Sequence, residues 1–203
     1  MLKPRVSSSI KSVDLKQEVG PLIIGERLNT QGSKKAKQLV LNDDFDGLVD
    51  LARNQVEDGA HCIDVCVATT ERSDEKEFIL KLVKSLSLEI DAPLVIDSTD
   101  PEVIESAIEQ IPGKPIINSI NLEGDGSRFK ALAPLMAKYG VPAIFPKAFI
   151  NDLLKITGDK IEIKSHDKPL WVSVAFSLDK NKKEILKTEG NVSIFFPAIN
   201  ETS

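Results

Sequence analysis

The stretch "PLVIDSTDPEVIESAIEQIPGKPIINSI" (Pro93–Ile120) holds two short apolar runs separated by one helical pattern. Asp100 is a good N-cap, and Pro101 suits the first helical position, where its missing N–H costs nothing. Val103, Ile104, Ala107, Ile108 and Ile111 recur at helical spacing and form an inner face. The flanking runs, "PLVIDS" and "PIINSI", read as strands. Strand, helix and strand together take roughly 30 residues, the size of a βαβ unit. Continuously apolar strands between amphipathic helices mean a parallel sheet covered by helices. Each strand ends in a polar residue, Asp97 in one and Asn118 in the other.

The same pattern extends in both directions. Before it, "PLIIGE" (21–26) and "HCIDVCV" (61–67) read as strands. "DDFDGLVDLARNQVEDG" (43–59) and "DEKEFILKLVKSLSLEI" (74–90) read as helices. The first of these buries Phe45, Leu48, Val49, Ala52 and Val56, with Gly59 as its stop. The second buries Phe78, Ile79, Leu82, Val83 and Leu86. After the opening stretch, "GSRFKALAPLMAKYG" (126–140) reads as a helix capped by Ser127, stopped at Gly140 and kinked at Pro134. "VPAIF" (141–145) begins a fifth strand. Residues 1–20 read as an irregular, polar lead-in.

A doubly wound sheet and a (β/α)8 barrel both fit this alternation. No G-x-G-x-x-G turn follows the first strand, which lowers the dinucleotide-binding alternative. Nearly every strand ends in polar side chains instead, as in a barrel whose site gathers at the C-terminal ends of the strands. From about Pro146 the pattern breaks. "KIEIKS", "LWVSVAFSL" and "NVSIFF" read as strands with no helices between them. The expected fold class is therefore α/β: the first four to five βα units of a TIM-type (β/α)8 barrel, incomplete, with a β-rich C-terminal tail. The expected division is a lead-in over 1–20, a partial barrel over 21–145 and an unassigned tail over 146–203.

Composition narrows the function. The chain has 203 residues and a net charge of −5, so no basic surplus is available to neutralise nucleic-acid phosphates. No apolar run is long enough to span a bilayer, and the start lacks the apolar core of a signal peptide, so a cytoplasmic location is expected. Cys62 and Cys66 lie too far apart along one strand face to bond each other. With only His61 and His166 beside them, a zinc site is poorly served. The two thiols read as small buried side chains lining a core or pocket.

Residues two apart on a strand share a face. Glu26 then aligns with Ile24 and Leu28, Asp64 with Cys62 and Cys66, Asp97 with Val95, and Asn118 with Ile116 and Ile120. In a barrel, Glu26, Asp64, Asp97 and Asn118 converge on one mouth. Three carboxylates and an amide make a poor cradle for phosphate and a good one for a neutral ligand rich in N–H donors. An aminopyrimidine edge meets that description. Each residue also has a structural reading. Asp64 can hold loop N–H groups, Glu26 can pair with Arg27 or Arg53, and Asn118 can brace the following turn. Asp97 is spared a capping role by Ser98, Thr99 and Asp100. The same carboxylates would also suit magnesium. "NLEGDGSRF" (121–129) lacks the P-loop lysine and reads as an ordinary loop.

"PLIIGERLNTQGSKK", "DGAHCIDVCV", the opening stretch through "NLEGDGSRF", and "KYGVPAI" together resemble the pterin-binding domain of cobalamin-dependent methionine synthases. They are more distantly similar to methyltetrahydrofolate:corrinoid protein methyltransferases. The resemblance runs from about Val6 to about Ile144, through several ordered motifs. It implies a barrel that binds 5-methyltetrahydrofolate at its C-terminal mouth and passes the methyl group to cobalamin on a separate domain or protein. By resemblance, Asp97 and Asn118 are pterin contacts, Glu26 and Asn29 belong to the first-strand motif "GERLN", and Asp64 is the second-strand acid. Cys66 stands where many members have Asn. A further pterin-contacting Asp and an Asn near the reactive N5 belong to later strands of the family, and residues 146–203 show neither.

The expected partners are a folate and a corrinoid-carrying domain or protein, with no nucleic acid and no membrane. The expected role is pterin binding for methyl transfer in methionine synthesis, by a fragment of the full domain. Two other readings stand beside it. One is a dihydropteroate synthase-like enzyme, although its late basic motif is not visible. The other is a non-catalytic half barrel that assembles with another chain, or a second copy, through open sheet edges.

Overall fold

The computed structural model describes residues 4–19, 21–118, 120 and 127–144, and the backbone of 171–175 and 191–195. The chain divides into two compact units, Met1–Asn118 and Ser119–Ser203.

In the first unit, four parallel strands lie side by side in chain order: β3 (Ile24–Gly25), β4 (Cys62–Val65), β5 (Leu94–Asp97) and β6 (Ile116–Asn118). Helices α1 (Lys34–Leu41) and α2 (Phe45–Glu57) connect β3 to β4. Helix α3 (Glu75–Glu89) connects β4 to β5, and α4 (Pro101–Gln110) connects β5 to β6. This is the opening sequence of a TIM-type (β/α)8 barrel, as expected.

Register assigns the two faces of the sheet. Ile63 pairs with Leu94, Val65 with Ile96, and Ile96 with Ile117. Asp64 pairs with Val95, Val95 with Ile116, and Asp97 with Asn118. The first set shares the face that meets the helices, and the second shares the opposite, inner face. Helices α3 and α4 bury the side chains their periodicity predicts: Phe78, Ile79, Leu82, Val83 and Leu86 in one, Val103, Ile104, Ala107 and Ile108 in the other. Asp100 caps α4 through the Glu102 N–H, and Pro101 opens the helix. Gly59 ends α2 at φ +100°, a conformation that glycine adopts without strain.

Three local readings change. The lead-in is not irregular: β1 (Arg5–Ser7) and β2 (Ser12–Asp14) form an antiparallel hairpin. Its Val6 and Val13 are buried, as is the following Leu15. The hairpin lies under the sheet, at the N-terminal ends of the strands. Ser7 exchanges backbone hydrogen bonds of 3.0 and 2.9 Å with Lys114, just before β6. Ser8 Oγ donates to the Asp91 carbonyl, just before β5. Helix α1 was absent from the sequence reading because only Ala36 and Val40 of its eight residues are buried. Ser33 caps it, and Arg72 Nη1 donates to the Val40 carbonyl at its far end. In α2, Gln55 is buried where Val56 was expected to be, and Val56 is half-buried.

In the second unit, α5 (Ser127–Tyr139) runs through Pro134, and the residues just before Ser127, on which its expected capping role depends, lie outside the described residues. Strand β7 (Ala143–Ile144) pairs in parallel with β9 (Asn191–Phe195), which pairs antiparallel with β8 (Trp171–Ala175). Two of the three expected tail strands are thus present, and "KIEIKS" lies outside the described residues. So do residues 121–126 of "NLEGDGSRF".

Candidate functional site

The inner face of the first unit carries a hydrogen-bonded group at the C-terminal ends of its strands. Asp64 is fully buried at the centre. Its Oδ2 accepts from Asn29 Nδ2 at 3.0 Å and its Oδ1 accepts from Asn118 Nδ2 at 3.0 Å. Asn29 Nδ2 also donates to Asp97 Oδ2 at 3.1 Å, so one amide bridges two carboxylates. The Gln31 backbone N–H donates to Asn29 Oδ1 at 2.9 Å, which fixes which end of the amide faces the acids. Residues from the β3 end, β4, β5 and β6 are thereby joined.

Burial pushes the Asp64 carboxyl up to about 6, because the charged form loses water. The two amide donors oppose that shift, and the charges of Asp97 and, more weakly, Glu26 add to it. The partners of Asp64 in the group are neutral amides, so its charge is held by hydrogen bonds alone. Burial likewise pushes the Cys66 thiol up to about 11, with the charge of Asp97 next in weight. Cys62, deeper on β4, is pushed up to about 12. Both thiols are free and buried.

Asn29 reaches the site through an irregularity in β3. Gly25 pairs with Ile63, and the next bridge joins Asn29 to Cys66. Four steps on one strand therefore match three on the other, which is a β-bulge. The extra residue reverses the alternation, so Asn29 takes the inner face that simple alternation gives to Leu28. Beyond the bulge the ladder resumes, with Thr30 N–H donating to the Cys66 carbonyl at 3.0 Å. Thr30 Oγ1 and Gln31 Nε2 both donate to the Ala68 carbonyl, at 2.6 and 2.7 Å, tying the β3 end to the β4 end.

Of the residues singled out from sequence, Asn29, Asp64, Asp97 and Asn118 form this group. Cys66 lines it behind Thr30. Glu26 is exposed at the bulge and acts on Asp64 through charge rather than a hydrogen bond. Arg53, a suggested partner for Glu26, pairs with Asp50 and Glu89 instead. In the loop after Asp97, Ser98 Oγ accepts from the Asp100 N–H at 3.1 Å and donates to Glu75 Oε1 at 2.6 Å. Sequence reasoning passed over Gln55 and Thr30. A glutamine on the apolar stripe of α2, seven residues after Leu48, was the available signal for the first. Among the described residues, no cluster of three or more His, Cys, Asp or Glu side chains is arranged to hold a metal ion. Nor is any helix among them long and apolar enough to cross a membrane.

Comparison with known proteins gives the family and the fold. Residues 25–150 match the family described as pterin binding enzyme. The methionine synthase of Mycobacterium tuberculosis is 35% identical over 148 residues, and that of Mycobacterium leprae 33% over 145. Each alignment takes in 70% of this chain and 12% of the relative, so the chain spans about an eighth of the length of these relatives. Among solved structures, dihydropteroate synthase from Xanthomonas albilineans aligns with a TM-score of 0.50 at 19% identity, over 70% of this chain and 49% of that one. The Yersinia pestis dihydropteroate synthase aligns with a TM-score of 0.50 at 19% identity, over 76% and 56%. These two likenesses support the partial-barrel fold. The family match over residues 25–150 and the identity to the methionine synthases show that the chain belongs to the pterin binding enzyme family.

Proposed function

We propose that this chain binds 5-methyltetrahydrofolate by the pterin edge at the strand ends of β3 to β6, as methyl donor in methionine synthesis. The observation that carries the reading is the joined group of Asn29, Asp64, Asp97 and Asn118. A pterin presents an amino group and a ring N–H side by side, and a carboxylate accepts such a pair. Asp97, at the end of β5, is the residue for that role. Asn118 turns its Nδ2 toward Asp64, which leaves its carbonyl oxygen as the acceptor end of the amide. Asp64 orients both amides from below. Glu26 and Cys66 are outer members of the same site.

The methionine synthase relatives favour this donor over a dihydropteroate synthase substrate. The methyl acceptor would be cobalamin on a separate domain or protein, where it supplies a nucleophilic cobalt. Every contribution assigned to this chain lies on the donor side: binding the pterin, orienting it and shielding its polar edge from water.

Calorimetric titration of 5-methyltetrahydrofolate into the purified chain tests the proposal. Binding is expected, and Asp97→Ala should weaken it by about 1–3 kcal/mol, the cost of leaving buried N–H groups unpaired. Absence of heat at millimolar ligand, or unchanged affinity in the variant, overturns the assignment.

A further inference from the structure

We propose that Gln55 of α2, on the opposite side of β3 from the site, is the positioning residue for Asn29, acting by holding the bulge that turns Asn29 inward. The bulge takes the Arg27 N–H out of the ladder, and Gln55 Oε1 accepts it at 2.7 Å. Gln55 Nε2 donates to the Leu51 carbonyl at 3.2 Å, one helical turn back, which locks the side chain against its own helix. Gln55 is only 5% exposed. A glutamine buried on an otherwise apolar helix face is costly unless both ends are paired, and a leucine would fill that face without the cost. Here both ends are paired, and one of them serves the irregular strand.

Gly25 completes the device. A Cβ at position 25 would lie 2.7 Å from Gln55 Oε1 and 3.2 Å from its Cβ, so only glycine lets the amide approach the strand. Gln55, Gly25 and the Arg27 N–H form a latch on the helix side. The parity change it enforces is felt four residues after Gly25, at Asn29. Without the latch, regular alternation turns Asn29 away from Asp64 and Asp97.

The coupling of Gln55 to Asn29 and Asp64 stands on this geometry, while its consequence for ligand binding rests on the pterin reading above. Asp64 reports on the coupling because Asn29 is the largest of the influences holding its carboxyl down. Among the described residues, the charged and titratable groups acting on Asp64 or acted on by it are Asp97 on β5, Glu26 at the bulge and Cys66 on β4. The variants below leave all of them in the chain.

The test follows the Asp64 carboxyl by NMR titration of the full chain. Gln55→Met keeps the volume and removes the acceptor. Gly25→Ala displaces the acceptor without removing it. Each is expected to raise the Asp64 midpoint above about 6 by roughly half a unit or more, as loss of a donor to a carboxylate does. Asn29→Ala should raise it similarly, and Gln55→Met added to Asn29→Ala should add nothing further. A parent-like midpoint in either folded single variant overturns the proposal, as does full additivity in the double variant. Titrating 5-methyltetrahydrofolate into the same proteins separates the two readings. A shifted Asp64 with unchanged affinity keeps the latch and removes Asn29 from the ligand site. An unshifted Asp64 removes the latch whatever the ligand does.

Discussion

Asp64→Asn keeps the shape of a buried side chain and removes its charge, and its effect can be worked out from the site. The folded carboxyl titrates at about 6 against an ordinary value of 3.8. That difference of about 2.2 units corresponds to about 3 kcal/mol. The sign follows from which state holds the proton. Between the two values the folded chain keeps a proton that the unfolded chain has lost, so parent stability falls as pH rises through this window and levels off above it. The variant carries no such group. Its stability relative to the parent should therefore rise by up to about 3 kcal/mol between roughly pH 4 and pH 7. The introduced carboxamide would also set an NH2 against one of the amides of Asn29 and Asn118, at about 1–3 kcal/mol. At neutral pH the variant should thus range from equal in stability to about 2 kcal/mol more stable. Urea unfolding of both proteins across that pH range gives the difference curve directly. A flat curve, or a variant that loses ground as pH rises, refutes the account of a buried charge held only by amides. Pterin affinity should fall in the same variant, because the two amides lose their common anchor. Such a pairing of gained stability with lost binding is the pattern expected of a residue retained for function.

Other outcomes follow from individual contacts. Gly113→Ala would set a Cβ 2.3 Å from the Ser7 carbonyl oxygen and 2.9 Å from the Ser8 backbone. It should destabilise the chain by about 1–3 kcal/mol, with hydrogen exchange faster in residues 5–14 than elsewhere. Ser98→Ala removes the partner of Glu75 and of the Asp100 N–H, and should cost about 1–2 kcal/mol in thermal unfolding. With both thiols buried and raised, Cys62 and Cys66 should resist iodoacetamide at about pH 8 in the native chain and react promptly in denaturant. Prompt alkylation of the native chain would show the inner face to be open.

Strand–helix alternation was legible because each unit repeats a strong local signal. The inner faces of α3 and α4 follow from periodicity alone, and Asp100–Pro101 marks the start of α4 without help from the rest of the chain. Asp64, Asp97 and Asn118 were legible for the same reason, since β4, β5 and β6 keep strict alternation to their ends. Asn29 was different. Alternation along β3 places Glu26 and Leu28 together and turns Asn29 away, and only the family resemblance carried it into the site. The bulge that decides the matter depends on a helix 28 residues further on, and no window of local sequence contains both. Helix α1 escaped notice because two buried residues in eight make too thin a stripe. The hairpin escaped because its strands are three residues long and gain their order from Lys114 and Asp91.

The pairing of Ser7 with Lys114 also bears on the order in which the chain can assemble. The two are 107 residues apart. Strands β3 to β6 meet their neighbours in sequence as they arrive, each closing a short crossover. The hairpin precedes those strands and is held at two places, by Asp91 before β5 and by Lys114 before β6, so its seat is complete only when the second of these exists. Its attachment closes a long loop, and such contacts slow folding. The hairpin is therefore among the last elements of the first unit to settle, and until it does the apolar underside of the four strands stands open to other chains.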